Sequence, residues 1–267
     1  MKILVIPDVH GRDFWKSPVE RYLKKVNKIV FLGDYFDPYE DEGVDYTFKG
    51  TMDNFNEIVQ LKKENPDKVV LLLGNHDFHY KNSLFEELAR STRFNPFHCK
   101  DIGMALNENS DLFQLCYCVD NYDKKLLFSH AGVTSYWLER TEIKLDENLE
   151  KNINDLQFTN EGVHKLAIIG RERSWFGHKT GSPLWCDLKE FISDKVLGAE
   201  YYQVFGHTRL KKGASVHTGD FSCIDSQYAF RINDKNKIKR IEDETVKTNE
   251  KQRAVQDSQD DKSQRGT

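Results

Sequence analysis

The sequence predicts an α/β fold built around a parallel sheet, and three observations predict it. The apolar runs Lys2 to Ile6, Lys28 to Leu32 and Lys68 to Leu73 are continuous rather than alternating, the pattern of strands buried on both faces. Helical spacing lies between them, as Val19, Tyr22, Leu23 and Val26 in the first gap and Phe48, Met52, Phe55 and Val59 in the second. Each apolar run also stops at a polar cluster containing aspartate. A βαβαβ order implies parallel strands joined by helical crossovers.

The individual elements follow from local signals. Ser17-Pro18-Val19-Glu20 reads as a helix start, with Ser as N-cap, Pro at the first helical position and Glu as capping partner. After about residue 110 the pattern changes. Leu112 to Val119 and Lys125 to Ser129 flank Asp120-Asn121-Tyr122-Asp123 and read as a hairpin. Helical segments follow near Thr134 to Arg140, Leu145 to Leu156 and Gly162 to Ile169. Asp187-Leu188-Lys189-Glu190 opens another helix with a cap and its partner, and Gly198 closes it. Short strands return at Tyr202 to Phe205, Gly213 to Val216, Phe221 to Ile224 and near Tyr228 to Ile232. Residues 1–240 read as one domain, and residues 241–267, polar and nearly free of aliphatics, as a disordered tail.

Composition narrows the class. The 267 residues are 38% hydrophobic, enough for a sizeable core, and the net charge of -4 argues against a nucleic-acid surface. The acidic stretch Glu40 to Asp45 points the same way and reads as a solvated loop. The first apolar run is too short for a signal segment, and no stretch approaches the roughly 18 apolar residues of a membrane span. Five cysteines, an odd number, include Cys116 and Cys118 on one strand face, and the expectation is reduced thiols in a cytoplasmic protein.

Five polar clusters carry the chemistry. The first three strands end in Asp8-Val9-His10-Gly11, Gly33-Asp34-Tyr35-Phe36-Asp37 and Gly74-Asn75-His76-Asp77. The carboxyl ends of parallel strands share one edge, where ligands bind, so these clusters converge. Ser129-His130-Ala131-Gly132 and Gly206-His207-Thr208 end two later strands. Carboxylate, imidazole and amide ligands suit Mn, Fe, Zn or Mg. Alone, each aspartate also reads as a turn or cap residue. Of the remaining histidines, His79, His98, His164 and His178 read as core or surface residues and His217 stays unassigned; Trp137, Trp175 and Trp185 read as core aromatics.

In order and spacing these blocks resemble the D-x-H, G-D-x-x-D, G-N-H-D/E, later His and G-H blocks of the calcineurin-like metallophosphoesterase superfamily. Leu184-Trp185-Cys186-Asp187 and the His130 and His207 blocks resemble its serine/threonine phosphatase branch, including bacterial and phage relatives. The match runs over about residues 1–230. The resemblance implies a four-layer αββα sandwich with two mixed β-sheets. It implies two divalent metal ions, with Mn expected and Fe, Zn or Mg as alternatives. Asp8, His10 and Asp34 would hold the first, and Asp34, Asn75, His130 and His207 the second, with Asp34 bridging. Two ions about 3.5–4 Å apart share a water, lowering its pKa until it attacks phosphorus as hydroxide. His76 would then be the general acid and Asp37 its orienting partner.

The sequence departs once from the branch and once from many other members of the superfamily, the second time in a way the branch shares. Pro38 stands where an arginine usually follows the second Asp, so a phosphate clamp must come from elsewhere; Arg171, Arg173 and Arg209 are the candidates. Arg209 also replaces the last His of the G-H-x-H found in many members, leaving the first metal three protein ligands. The expected activity is hydrolysis of phosphomonoesters on a phosphoprotein or small molecule. The alternatives are hydrolysis of dinucleoside polyphosphates or cyclic nucleotides, nucleic-acid end processing, which would want a basic groove, and a noncatalytic scaffold, against which the intact ligand set and His76 speak.

Overall fold

Two sheets stack face to face, and the first takes strands from both ends of the chain. In the computed structural model, which describes residues 1–39, 47–194 and 197–242, strands β1 (Ile3–Ile6), β2 (Lys28–Phe31), β3 (Val69–Leu72) and β4 (Phe113–Gln114) run parallel. Strands β10 (Phe230–Ile232) and β11 (Ile238–Arg240) extend the β1 edge antiparallel. The second sheet joins β5 (Cys116–Asn121), β6 (Lys124–Ser129), β7 (Tyr201–Phe205), β8 (Val216–His217) and β9 (Phe221–Cys223) in the order β5-β6-β7-β9-β8, with parallel and antiparallel pairs. The acidic stretch Glu40 to Asp45 and residues 243–267 of the expected tail lie outside the described residues.

Strand alternation sorts the apolar side chains into layers. Ile3, Val5, Val30, Leu32, Val70 and Leu72 face inward and meet Leu126, Phe128, Val204 and Ile224 of the second sheet. Their neighbours Leu4, Ile6, Ile29, Phe31 and Leu71 face outward onto Val19 of α1 (Lys16–Tyr22) and Phe55, Ile58 and Val59 of α2 (Phe48–Glu64). Beyond the second sheet, Leu127 joins the apolar cluster of Trp137 and Leu138 from α6 (Ser135–Thr141) and Leu149 and Ile153 from α7 (Leu149–Asp155). Phe205 packs on Phe191 of α9 (Leu188–Ser193), ring centroids 4.6 Å apart. The result is the expected helix, sheet, sheet, helix order.

The sequence reading needs several corrections. Ser17 does not cap the first helix. That helix starts at Lys16 with Trp15 in the cap position and no side-chain cap, because turns closed by Arg12 N to Val9 O and Lys16 N to Asp13 O wind the chain into it earlier. Asp187 and Glu190, in contrast, form the expected capping box. The run Leu112 to Val119 is two strands, since β4 pairs with β3 while β5 pairs with β6. The chain changes sheets at Leu115. The helix expected from Leu145 begins at Leu149, and the strand expected over Gly213 to Val216 is Val216–His217. Helices α3 (Asn75–Lys81), α4 (Ser83–Ala89) and α5 (Cys99–Glu108) fill a region left unread, and α8 (Asn160–Leu166) begins and ends ahead of the expected Gly162 to Ile169. Trp137 and Trp185 are core residues, but Trp175 is fully exposed in the loop bridged by Gly170 and His178. The five cysteines are unpaired. Among the described residues no helix is long and apolar enough to cross a membrane.

Asn154 of α7 secures the crossing. Its Oδ1 accepts from Leu115 N at 2.7 Å and Cys116 N at 2.9 Å, and its Nδ2 donates to Cys116 O at 2.9 Å. Asn154→Ala takes this acceptor from the Leu115 and Cys116 amides, while Cys116 O keeps Gln114 Nε2 as a donor. We expect it to destabilise the protein by about 1–3 kcal/mol, read as a lower urea midpoint at unchanged slope.

Candidate functional site

The carboxyl ends of β1, β2 and β3 and of β6 and β7 meet at one end of the sandwich, and each contributes its polar cluster. Four of the residues that turn there, His10 (φ 46), Asp34 (φ 53), Asp37 (φ 55) and His207 (φ 63), are left-handed although none is glycine. That conformation costs an L-residue roughly 1–2 kcal/mol, and such strain persists only where the surroundings dictate it. They do so through the backbone. Val9 N and His10 N both donate to Asp34 O, at 3.0 and 2.7 Å, and Gly11 N donates to Tyr35 O at 2.9 Å.

Two glycines permit the close approach. A Cβ at Gly74 would lie 2.0 Å from Asp34 Oδ1, and one at Gly206 would lie 2.0 Å from Asp8 Oδ1. Asp77 joins the turns after β2 and β3, accepting from Gly74 N, Asp34 N and Tyr35 N at 2.7–2.8 Å. Its role in the Gly74-Asn75-His76-Asp77 block is therefore to hold two strand ends together.

Asp34 lies at the centre. Its Oδ1 accepts from His76 N at 2.9 Å, and its Oδ2 lies 3.5 Å from both His10 Nε2 and His130 Nε2. Both rings point their other nitrogen at a backbone carbonyl, His10 Nδ1 at Phe36 O (2.6 Å) and His130 Nδ1 at Leu32 O (2.9 Å). A carbonyl only accepts, so Nδ1 carries a proton in each ring and Nε2 is the nitrogen that faces the carboxylate. His130 Nε2 is also 3.1 Å from Asn75 Oδ1 and 3.0 Å from His207 Nδ1, while His207 Nε2 has no partner. Acceptors crowded this way need a proton or a cation between them.

Asp8, His10 and Asp34 form one compact group of donor atoms, and Asp34, His130 and His207 another, all buried. With Asn75 Oδ1 they comprise the six residues expected from the sequence. Burial, with a push from Asp34 and against the pull of His130, lifts Asp8 to about 6. Burial and then Arg93 hold His10 well below the ordinary imidazole range, and burial and then Arg173 do the same for His207. Neutral imidazoles are what metal coordination requires. The donor set therefore fits two divalent cations sharing Asp34.

Beside it sits a third group. His76 Nδ1 lies 2.7 Å from Asp37 Oδ2, and His79 Nε2 lies 3.0 Å from the same oxygen. Tyr80 donates its hydroxyl to Asp37 Oδ1 at 2.5 Å. Burial pushes Asp37 up, but His76 and His79 outweigh it and bring the carboxyl to about 2. Burial lowers His76, opposed by Asp34 and Asp37.

Sequence reasoning missed Arg93. It lies between α4 and α5, in a segment tied to α3 by Ser91 N to His79 Nδ1 and Asn95 N to the Tyr80 hydroxyl. Its Nη2 is 3.0 Å from His76 Nε2 and 3.4 Å from His10 Nε2, its Nη1 donates to Asp37 O, and its guanidinium stacks on Tyr39 at 3.7 Å. No motif surrounds it; the only signal was the arginine missing at Pro38. Of the three arginines proposed from sequence, Arg209 shares the Tyr39 ring at 4.2 Å. Arg173 pairs with Asp187 at 3.0 Å and reaches His207 O at 3.5 Å. Arg171 lines a hollow of about 340 Å³ together with Arg173 and Trp175. His217 hydrogen-bonds to Ser215 and Ser222 and is not among these groups.

The sequence profile described as calcineurin-like phosphoesterase matches residues 1–234. No curated protein matches the sequence. Among solved structures, a protein serine/threonine phosphatase from Saccharomyces cerevisiae, described as similar to human phosphatase PP5, superposes with a TM-score of 0.52 at 14% identity, covering 91% of this chain and 80% of that one. That likeness concerns the fold alone. The phosphoesterase Yfce from E. coli gives 0.36 at 11% identity, over 90% and 98% of the two chains. A metallophosphoesterase from Sphaerobacter thermophilus gives 0.38 at 14% identity, over 96% and 94%.

Because one Asp34 oxygen faces both donor groups, Asp34→Asn should lower the content of both metals together. Elemental analysis after dialysis against limiting Mn should show well under one ion per chain, and near-normal occupancy would remove Asp34 from the bridging position.

Proposed function

This chain belongs to the calcineurin-like phosphoesterase family and is a metal-dependent phosphoester hydrolase; from that premise we propose that it hydrolyses phosphomonoesters, in the manner of a serine/threonine phosphatase, at a dinuclear site. The observation that carries the reading is the Asp34 oxygen 3.5 Å from two imidazole nitrogens. Asp8, His10 and Asp34 would hold one cation, and Asp34, Asn75, His130 and His207 the other, with Mn the expected ion and Fe, Zn or Mg the alternatives. When bound, two such ions polarise a phosphoryl group and acidify a water between them.

The remaining steps fall to side chains. In the free site Arg93 Nη2 donates to His76 Nε2; once a phosphate draws Arg93 to itself, Nε2 takes up a proton and gives it to the departing oxygen, while the ionised Asp37 carboxylate keeps Nδ1 protonated and the ring in place. A phosphate dianion arriving beside His76 offsets the effect of burial, since adjacent negative charge favours imidazolium. Arg93 takes the place of the arginine absent at Pro38 and draws the phosphoryl oxygens toward His76. Arg209, on the same tyrosine ring, is the second clamp. Arg173 supports the His207 turn, and Arg171 lines a hollow beside it.

Metal-stripped protein should turn over p-nitrophenyl phosphate only after Mn is restored, and faster than bis-p-nitrophenyl phosphate. A preference for the diester would transfer the assignment to cyclic nucleotides or another diester. His76→Ala should keep its metals yet lose about 10²–10⁴-fold on unactivated alkyl phosphates and clearly less on p-nitrophenyl phosphate, whose leaving group needs little protonation. Equal losses on the two esters would remove His76 from the general-acid role.

A further inference from the structure

A cavity of about 760 Å³ opens beside the site and is not used by anything above. Its inner end is formed by Asp37 and Arg93, the residues that hold His76, and none of the six metal-site residues lines it. Arg93 Nη2 lies 3.0 Å from His76 Nε2, so through Arg93 the cavity borders the edge from which His76 would deliver its proton. Its walls are aromatic. Phe48 and His98, both lining residues, stack face to face with ring centroids 3.8 Å apart and planes within 4°. Phe94, stacked on Tyr80 at 4.9 Å, lies among the lining residues, and Phe97 stands at the mouth 89% exposed. A phenylalanine so exposed gains nothing from the fold, whereas a ring seated against it would bury its face.

We infer that this cavity is a leaving-group subsite for a planar aromatic ring. The assignment of the ring to the leaving group rests on the phosphomonoesterase reading; the affinity for a ring does not. The ring lies among Phe48, Phe94 and Phe97, and its phosphate reaches Arg93. A nucleobase and a phenol share this chemistry.

The test is calorimetric binding to the full-length, Mn-loaded protein of 2-naphthylphosphonate and of methylphosphonate, which share the anionic group and resist hydrolysis. The ring should tighten binding by about tenfold or more, and Phe97→Ala, at an exposed position that leaves the core intact, should remove most of that ratio. A ratio near one, or a ratio unchanged in both Phe97→Ala and Phe48→Ala, overturns the subsite. Displacement by adenosine 5′-monophosphate at lower concentration than by free phosphotyrosine supports a nucleobase, and the reverse supports a phenolic ring. Ring selectivity without turnover of any monoester would sink the phosphomonoesterase reading and leave the subsite standing. Turnover without ring selectivity would do the opposite.

Discussion

Everything at this site depends on the contact between the turns that follow β2 and β3. Asp34 reaches His10 on one side and His130 on the other only because Gly74 lets its carboxylate lie where a Cβ would be. The same contact presents the Asp34 oxygen to the His76 amide. Asp77 locks it with three backbone hydrogen bonds. A side chain at residue 74 would push apart the two groups that share Asp34, so one missing methyl group positions both.

The electrostatics follow from that geometry. Burial at the seam between the sheets removes water from two carboxylates and three imidazoles, and the two backbone carbonyls that hold the His10 and His130 Nδ1 protons leave each Nε2 facing the Asp34 carboxylate. That cluster needs a proton or a cation between its acceptors, and its donor set suits a divalent cation. The Asp37 group uses the opposite logic. There two imidazoles and a phenol converge on one carboxylate, which stays ionised and never lacks a donor. Two neighbouring clusters of like composition thus differ in what they call for, the first a metal and the second a proton.

How much was legible in the sequence varies with distance along the chain. The βαβαβ half was readable because continuous apolar runs and helical spacing are local signals. The six donor residues were readable because each sits within two positions of a glycine or another polar residue of a recognisable block. Arg93, Ser91 and Tyr80 were not, since they reach Asp37 and His76 through a helical region whose packing, not its pattern, brings them there. His79 was read only as a core or surface residue; it is buried, but against the Asp37 carboxylate. The division of Leu112 to Val119 was invisible for a related reason. Both strands carry apolar residues, and what separates them is Asn154, some forty positions away.

The four left-handed residues also say something about how such a protein can change. Glycine is the substitution that would relax each of those turns, and glycine has neither carboxylate nor imidazole. At His10, Asp34, Asp37 and His207 a mutation toward a more comfortable backbone is therefore a mutation away from chemistry. Selection for robustness and selection for activity oppose each other at the same codons, and a lineage released from the second would be expected to lose its ligands there first.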